Sequence, residues 1–148
     1  MKYLVILFLI LSITGCITSD CNIAIYNKQG MALFKKGEYD QAIANYDKVI
    51  EINPKCARAY DNRGTAFLRK GQYNRAIADY NKAIEFNTKK CSGTYNNRGL
   101  AFYNKDQYKQ AISDYNKAIE IDPKSVIAFY NRGHLFNRPI WPSNCWLW

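Results

Sequence analysis

The 148 residues amount to one domain, and 48% hydrophobic content is ordinary for a globular chain, while 15% aromatic, including 12 Tyr, is high. Against 21 Lys and Arg stand 12 Asp and Glu, a net charge of +9. That charge suits nucleic acid, an anionic membrane surface, an acidic partner or simply a solvated face, but no run of five basic residues exists, which argues against nucleic acid.

The chain opens with MKYLVILFLILSITGC: one cation at Lys2, an apolar run from Tyr3 to Leu11, then small and polar residues up to Cys16. The run is short for a bilayer span and has the make-up of the apolar region of an export signal. Its end, Ile13-Thr14-Gly15-Cys16, resembles the lipobox of bacterial lipoproteins. That resemblance implies that residues 1–15 are removed and that Cys16 carries the lipid; more than one acyl chain is needed because a single chain anchors only marginally. A plain signal, with Cys16 incidental, is the alternative. Ile17, standing where Asp would retain such a protein at the inner membrane, implies the periplasmic face of the outer membrane if the source has one. Residues 16–22 are then the lipidated cysteine and a short tether. Its six residues after Cys16 reach at most about 20 Å. The body would sit near the headgroups, where a basic surface adds a weak attraction.

From Ile23 the chain repeats. Gly30, Gly64, Gly99 and Gly133 lie 34, 35 and 34 residues apart, and Tyr39, Tyr73 and Tyr108 keep step. So do Ala42-Ile43, Ala76-Ile77 and Ala111-Ile112, and so do Tyr46, Tyr80 and Tyr115. Each unit reads as two helices. In the second, Tyr60, Arg63-Gly64 and Phe67 share one helical face, Gly71 ends the helix, and Ala76, Ile77, Tyr80, Ala83 and Ile84 mark the next, ending near Asn87. Asp106 stands where Gly37 and Gly71 stand, and tolerates the left-handed region better than most residues. The triplet Asn-Arg-Gly recurs at Asn62, Asn97 and Asn131; its glycines are read as packing residues that let helices approach closely.

The period and this pattern resemble the tetratricopeptide repeat, with Arg63, Arg98 and Arg132 in place of the usual Leu before Gly. The resemblance implies an all-α fold, a right-handed superhelix of stacked helix–turn–helix units. These are placed at residues 23–56, 57–90 and 91–125, with a partial fourth at 126–138. It further implies that the first helix of each unit lines a concave groove. Groove residues by alignment are Asn27, Lys28, Met31, Phe34 and Lys35 in the first unit, then Arg58, Asp61, Asn62, Thr65, Leu68 and Arg69 in the second. The third offers Asn96, Asn97, Leu100, Tyr103 and Asn104; the partial unit offers Ile127, Tyr130, Asn131, His134 and Arg138. A row of carboxamides at Asn62, Asn97 and Asn131 could donate to and accept from a peptide backbone without reading its sequence, or could bond only to neighbouring helices. The family's clamp of Lys, Arg and Asn around a terminal carboxylate is not reproduced by Lys28, Arg58 and Asn62.

Cys21, Cys56 and Cys91 recur at the unit boundaries, with no CxxC pair. Stacked units lie about 8–10 Å apart, too far for most disulfides, although Cys21–Cys56 is open because the N-terminus is slack. His134 is the lone histidine and reads as a surface or packing residue; Asp40 and Asp47 read as solvated. No nucleophile elbow, phosphate loop or metal cluster is present, so no enzyme, cofactor or metal is expected. Residues 139–148, with Pro139, Pro142, Trp141, Trp146 and Trp148, break the period, and Cys145 has no evident partner. The expected function is a lipid-anchored scaffold for a protein or extended peptide. The alternatives are a basic module for an anionic polymer, or an accessory domain for a separately encoded enzyme. Nothing in the sequence specifies an oligomeric state.

Overall fold

A computed structural model describes residues 20–87 and 91–136. Cys16, the expected export segment, Arg138, Cys145 and the tryptophan-containing residues 139–148 lie outside these residues. The described chain is helical throughout, without a strand. Helix α1 covers residues 20–35. It is followed by α2 (Tyr39–Ile52), α3 (Ala57–Arg69), α4 (Tyr73–Phe86), α5 (Ser92–Tyr103), α6 (Tyr108–Ile121) and α7 (Val126–Phe136). Residues 20–22, expected in the tether, are already helical.

Successive helices pack in chain order, and α3 also meets α5 as α5 meets α7. The odd-numbered helices therefore approach one another directly, which curves the stack and puts them on its inner side. The turn inside each unit is set by backbone chemistry. Gly37, Gly71 and Asp106 have φ of +83°, +71° and +57°. In each, the amide of the following residue reaches back to a carbonyl five residues earlier: Glu38 to Leu33, Gln72 to Phe67 and Gln107 to Phe102. Asp106 thus adopts the conformation that its place in the period demands. Between units, Asn53 and Asp122 side chains accept from the amides of Lys55 and Lys124, closing turns around Pro54 and Pro123.

The core is built from rings seated in notches. Tyr46, Tyr80 and Tyr115 are at most 1% exposed. A Cβ on Gly30, Gly64 or Gly99 would lie 2.6, 3.0 or 2.7 Å from the Cε1 of Tyr46, Tyr80 or Tyr115. Around them Ala42, Ala66, Ala76, Ala101, Ala111 and Ala118 are fully buried, small enough to bring the helices together. Gly133 departs from this pattern: among the described residues nothing lies within 4 Å of a Cβ there. Its triplet matches the other two, but no helix follows α7 among the described residues to bring a ring to it.

A polar ladder joins the units. Arg63 Nε and Nη2 donate to both Asp79 oxygens at 2.8 and 2.7 Å, and Nη1 donates to Asp47 of the preceding unit. Arg98 repeats this with Asp114 at 2.8 and 2.7 Å and with Asn81 at 2.6 Å. Arg132 reaches Asn116 at 2.8 Å. Asp79 and Asp114 are buried. The hydrogen bonds that Arg63 donates to Asp79 push its guanidinium above its ordinary range, against burial. Arg63 also lies between the Tyr60 and Phe67 rings, as Arg98 does between Tyr95 and Phe102. Asp40 and Asp47 are solvated as read, their side chains 81% and 44% exposed, and each also forms an ion pair across a unit boundary, Asp47 with Arg63 and Asp40 with Lys70. Cys21, Cys56 and Cys91 are free thiols, so the Cys21–Cys56 bridge is not formed.

Candidate functional site

The inner helices bring ten of the sequence-derived groove residues to two cavities. Met31, Phe34 and Lys35 of α1, Tyr46 of α2 and Asn62 and Thr65 of α3 line the first, of about 260 Å³. Leu100 and Tyr103 of α5, Tyr115 of α6 and Tyr130, Asn131 and His134 of α7 line the second, of about 190 Å³. The two occupy equivalent seams, between units 1 and 2 and between units 3 and 4. Alignment marked every lining residue except Tyr46 and Tyr115. These come from second helices, and the period that pairs them with Gly30 and Gly99 was the signal that could have found them. Burial pushes the Tyr46 phenol up to about 12, so it stays protonated, a donor as well as an acceptor, at neutral pH.

The carboxamide row is not uniform. Asn131 Nδ2 donates to Asn96 Oδ1 at 2.9 Å, so the two side chains satisfy each other across the α5–α7 seam. Their equivalents one end away, Asn62 Nδ2 and Asn27 Oδ1, are buried without a partner among the described residues. Asn96 is only 9% exposed, and Asp61 Oδ1 is buried and unpartnered. Both were expected to face a ligand; they face the neighbouring helix instead, because inner helices meet directly at that position. Burial raises the Asp61 carboxyl above the usual carboxylate range, and a hydrogen bond with Thr94 offsets part of this.

At the middle seam the pattern changes again. Thr65 Oγ1 donates to the Asp61 carbonyl at 2.9 Å and accepts from the Tyr80 hydroxyl at 3.2 Å. Leu68 and Phe34 pack partly on the core. Asn97 is half-buried, and Asn104 turns back to the Leu100 carbonyl at 2.8 Å. His134 is exposed, its ring 6.0 Å from that of Tyr103 and 6.2 Å from that of Tyr130. Ile127 and Tyr130 are 65% and 69% exposed.

Charge is unevenly spread. Lys28, Lys35, Arg58 and Arg69 are exposed and form no ion pair with a described residue, whereas the six residues of the second cavity include no Lys, Arg, Asp or Glu. The site can therefore hold an extended chain with apolar side chains, and its first half favours negative charge.

A TPR repeat model matches residues 30–71 and 99–138, and a tetratricopeptide repeat model matches residues 57–89. Among solved structures, the Arabidopsis OM64 TPR domain is similar at 26% identity, with 80% of this chain and 97% of that one covered and a TM-score of 0.77. The first TPR of Spaghetti (RPAP3), bound to HSP90 peptide SRMEEVD, is similar at 26% identity over 78% of this chain and 90% of that one, TM-score 0.75. The Sgt2 TPR domain from Aspergillus fumigatus is similar at 26% identity over 77% and 76%, TM-score 0.73. No curated protein matches.

Proposed function

Because the chain belongs to the tetratricopeptide repeat family, we propose that it is a non-catalytic scaffold that holds an extended peptide or a partner subunit in its inner groove, tethered to the bacterial envelope by a lipid on Cys16. The observation that carries the binding half is the convergence of Met31, Phe34, Asn62, Thr65 and the exposed cation Lys35 on one open cavity. The similar Spaghetti domain holds a peptide, which supports a peptide as the kind of ligand. Its acidic tail is not carried over, since the terminal-carboxylate clamp is not reproduced here. The lipobox resemblance at Ile13-Thr14-Gly15-Cys16 supports the anchoring half.

Two measurements test the two halves separately. Detergent-phase partitioning should retain the full chain and release Cys16→Ser; equal partitioning would refute the anchor. Affinity capture from detergent-solubilised envelope should recover a partner that Lys35→Glu with Arg69→Glu loses. Both side chains are exposed, so the fold is unaffected. A partner retained by the double variant would refute the groove.

A further inference from the structure

Units 1 and 2 enclose one cavity and units 3 and 4 the other, and the seam between units 2 and 3 is built differently. Met31, Thr65 and Leu100 are equivalent residues, 34 and 35 positions apart. In the outer seams that place is taken by Met31 or Leu100, and the tyrosine below, Tyr46 or Tyr115, makes no side-chain hydrogen bond with a described residue. In the middle seam it is taken by Thr65, whose oxygen accepts from Tyr80 and donates to the Asp61 carbonyl, so the tyrosine hydroxyl is stitched to the neighbouring helix. The groove thus offers apolar room at two places and, between them, a step where the Thr65 and Tyr80 hydroxyls bond to each other.

Resting on the peptide-binding reading above, we propose that the ligand is an internal extended segment with two apolar side chains five or six residues apart and an acidic residue beside the first. One anchor enters the cavity of Met31, Phe34 and Tyr46; the other enters that of Leu100, Tyr103 and Tyr115. The spacing follows from geometry. Two steps between packed units span about 16–20 Å at about 8–10 Å each, and an extended chain covers about 3.3 Å per residue. The acidic residue follows from charge complementarity. Lys35 lines the first cavity, with Lys28 exposed two turns earlier on the same helix, and the second cavity is lined without a Lys or Arg. The Thr65 and Tyr80 hydroxyls make the middle step more polar than the places held by Met31 and Leu100, so the segment between the anchors is polar or small.

The test uses the full chain in detergent and a series of synthetic peptides, acetylated and amidated. Each carries Leu next to Glu and a Phe set two to nine residues away on a Gly-Ser background, and binding is read by fluorescence anisotropy. Affinity should peak at a separation of five or six and fall about tenfold when either anchor becomes Ser. Met31→Glu should abolish the gain from Leu, and Leu100→Glu the gain from Phe. Met31 is 48% exposed, so its substitution leaves the fold intact, which circular dichroism confirms. A free C-terminal carboxylate should add nothing. Binding that responds to the groove variants but shows no optimum in separation, or that requires the free carboxylate, overturns the two-anchor proposal and leaves the scaffold reading standing. Binding by no peptide of the series, free-acid forms included, overturns both.

Discussion

The three Asn-Arg-Gly triplets are an internal control for how the fold is held. Alanine for a helix-interior glycine gains about 1 kcal/mol of helix propensity. At Gly99 the new methyl carbon would lie 2.7 and 2.9 Å from Cε1 and Cδ1 of Tyr115. That ring is 1% exposed and cannot swing into solvent. Overpacking of this kind costs about 1–3 kcal/mol, so Gly99→Ala should lose up to about 2 kcal/mol net. At Gly133 no described atom opposes the methyl, and Gly133→Ala should keep its propensity gain. Thermal unfolding followed by circular dichroism should separate the two variants by about 4–12 °C, at roughly 4 °C per kcal/mol for a body of this size. Equal destabilisation by the two substitutions would refute the claim that a ring in a glycine notch, rather than the local triplet, sets the requirement for glycine.

Three further expectations follow from the same contacts. Arg98→Ala leaves Asp114 buried without its bidentate partner and should cost about 3 kcal/mol, read by urea unfolding, whereas Lys82→Ala, on an exposed i,i+3 pair, should leave the unfolding midpoint essentially unchanged. Asp106→Gly relieves a left-handed non-glycine residue and should raise stability by about 1 kcal/mol in the same assay, less whatever the Tyr108 hydroxyl loses as donor to that carboxylate. Asp61→Asn should raise stability at neutral pH. The carboxyl is raised in the folded state, so wild-type stability is fully present below the unfolded carboxylate range near 3.9 and declines as pH rises through the folded value. The advantage of Asn should therefore vanish in acid, and an advantage independent of pH would contradict the burial argument.

The fold was legible because period and backbone chemistry are one-dimensional. Thirty-four-residue spacing pairs glycine with tyrosine, and a helix that ends at Gly37 and Gly71 must end at Asp106 in the same conformation. The groove residues were legible for the same reason, since alignment alone places Met31, Asn62, Leu100 and Asn131 on inner helices. What escaped depends on which side chains meet. Asp79 and Asp114 each follow their arginine by 16 residues, a signal present in the letters. Reading it requires knowing that a hairpin of helices folds position 63 onto position 79. The exchange between Asn131 and Asn96 was hidden at a finer level, because a carboxamide suits a ligand and a neighbouring helix equally well. Gly133 has the letters of Gly64 and Gly99 but no ring opposite it among the described residues, because the triplet alone does not bring the packing partner.

The repeat carries its own comparison between scaffold and site. Where the stack is held, the copies agree: Gly30, Gly64 and Gly99 face Tyr46, Tyr80 and Tyr115, and Ala42, Ala76 and Ala111 are fully buried. Where the groove is lined, they differ: Met31, Thr65, Leu100 and His134 stand at one position, and Lys35, Arg69 and Asn104 at another. Stability does not force that variation, since Met31 is 48% exposed and the ladder from Arg63 and Arg98 joins the units elsewhere on the same helices. A ligand contacted identically by every unit would need identical groove residues. The groove built here is basic at one end, stitched in the middle and ring-lined at the other. It can therefore orient a bound chain as well as hold it: reversing the order of the two anchors and the acidic residue should weaken binding even though composition and spacing are unchanged.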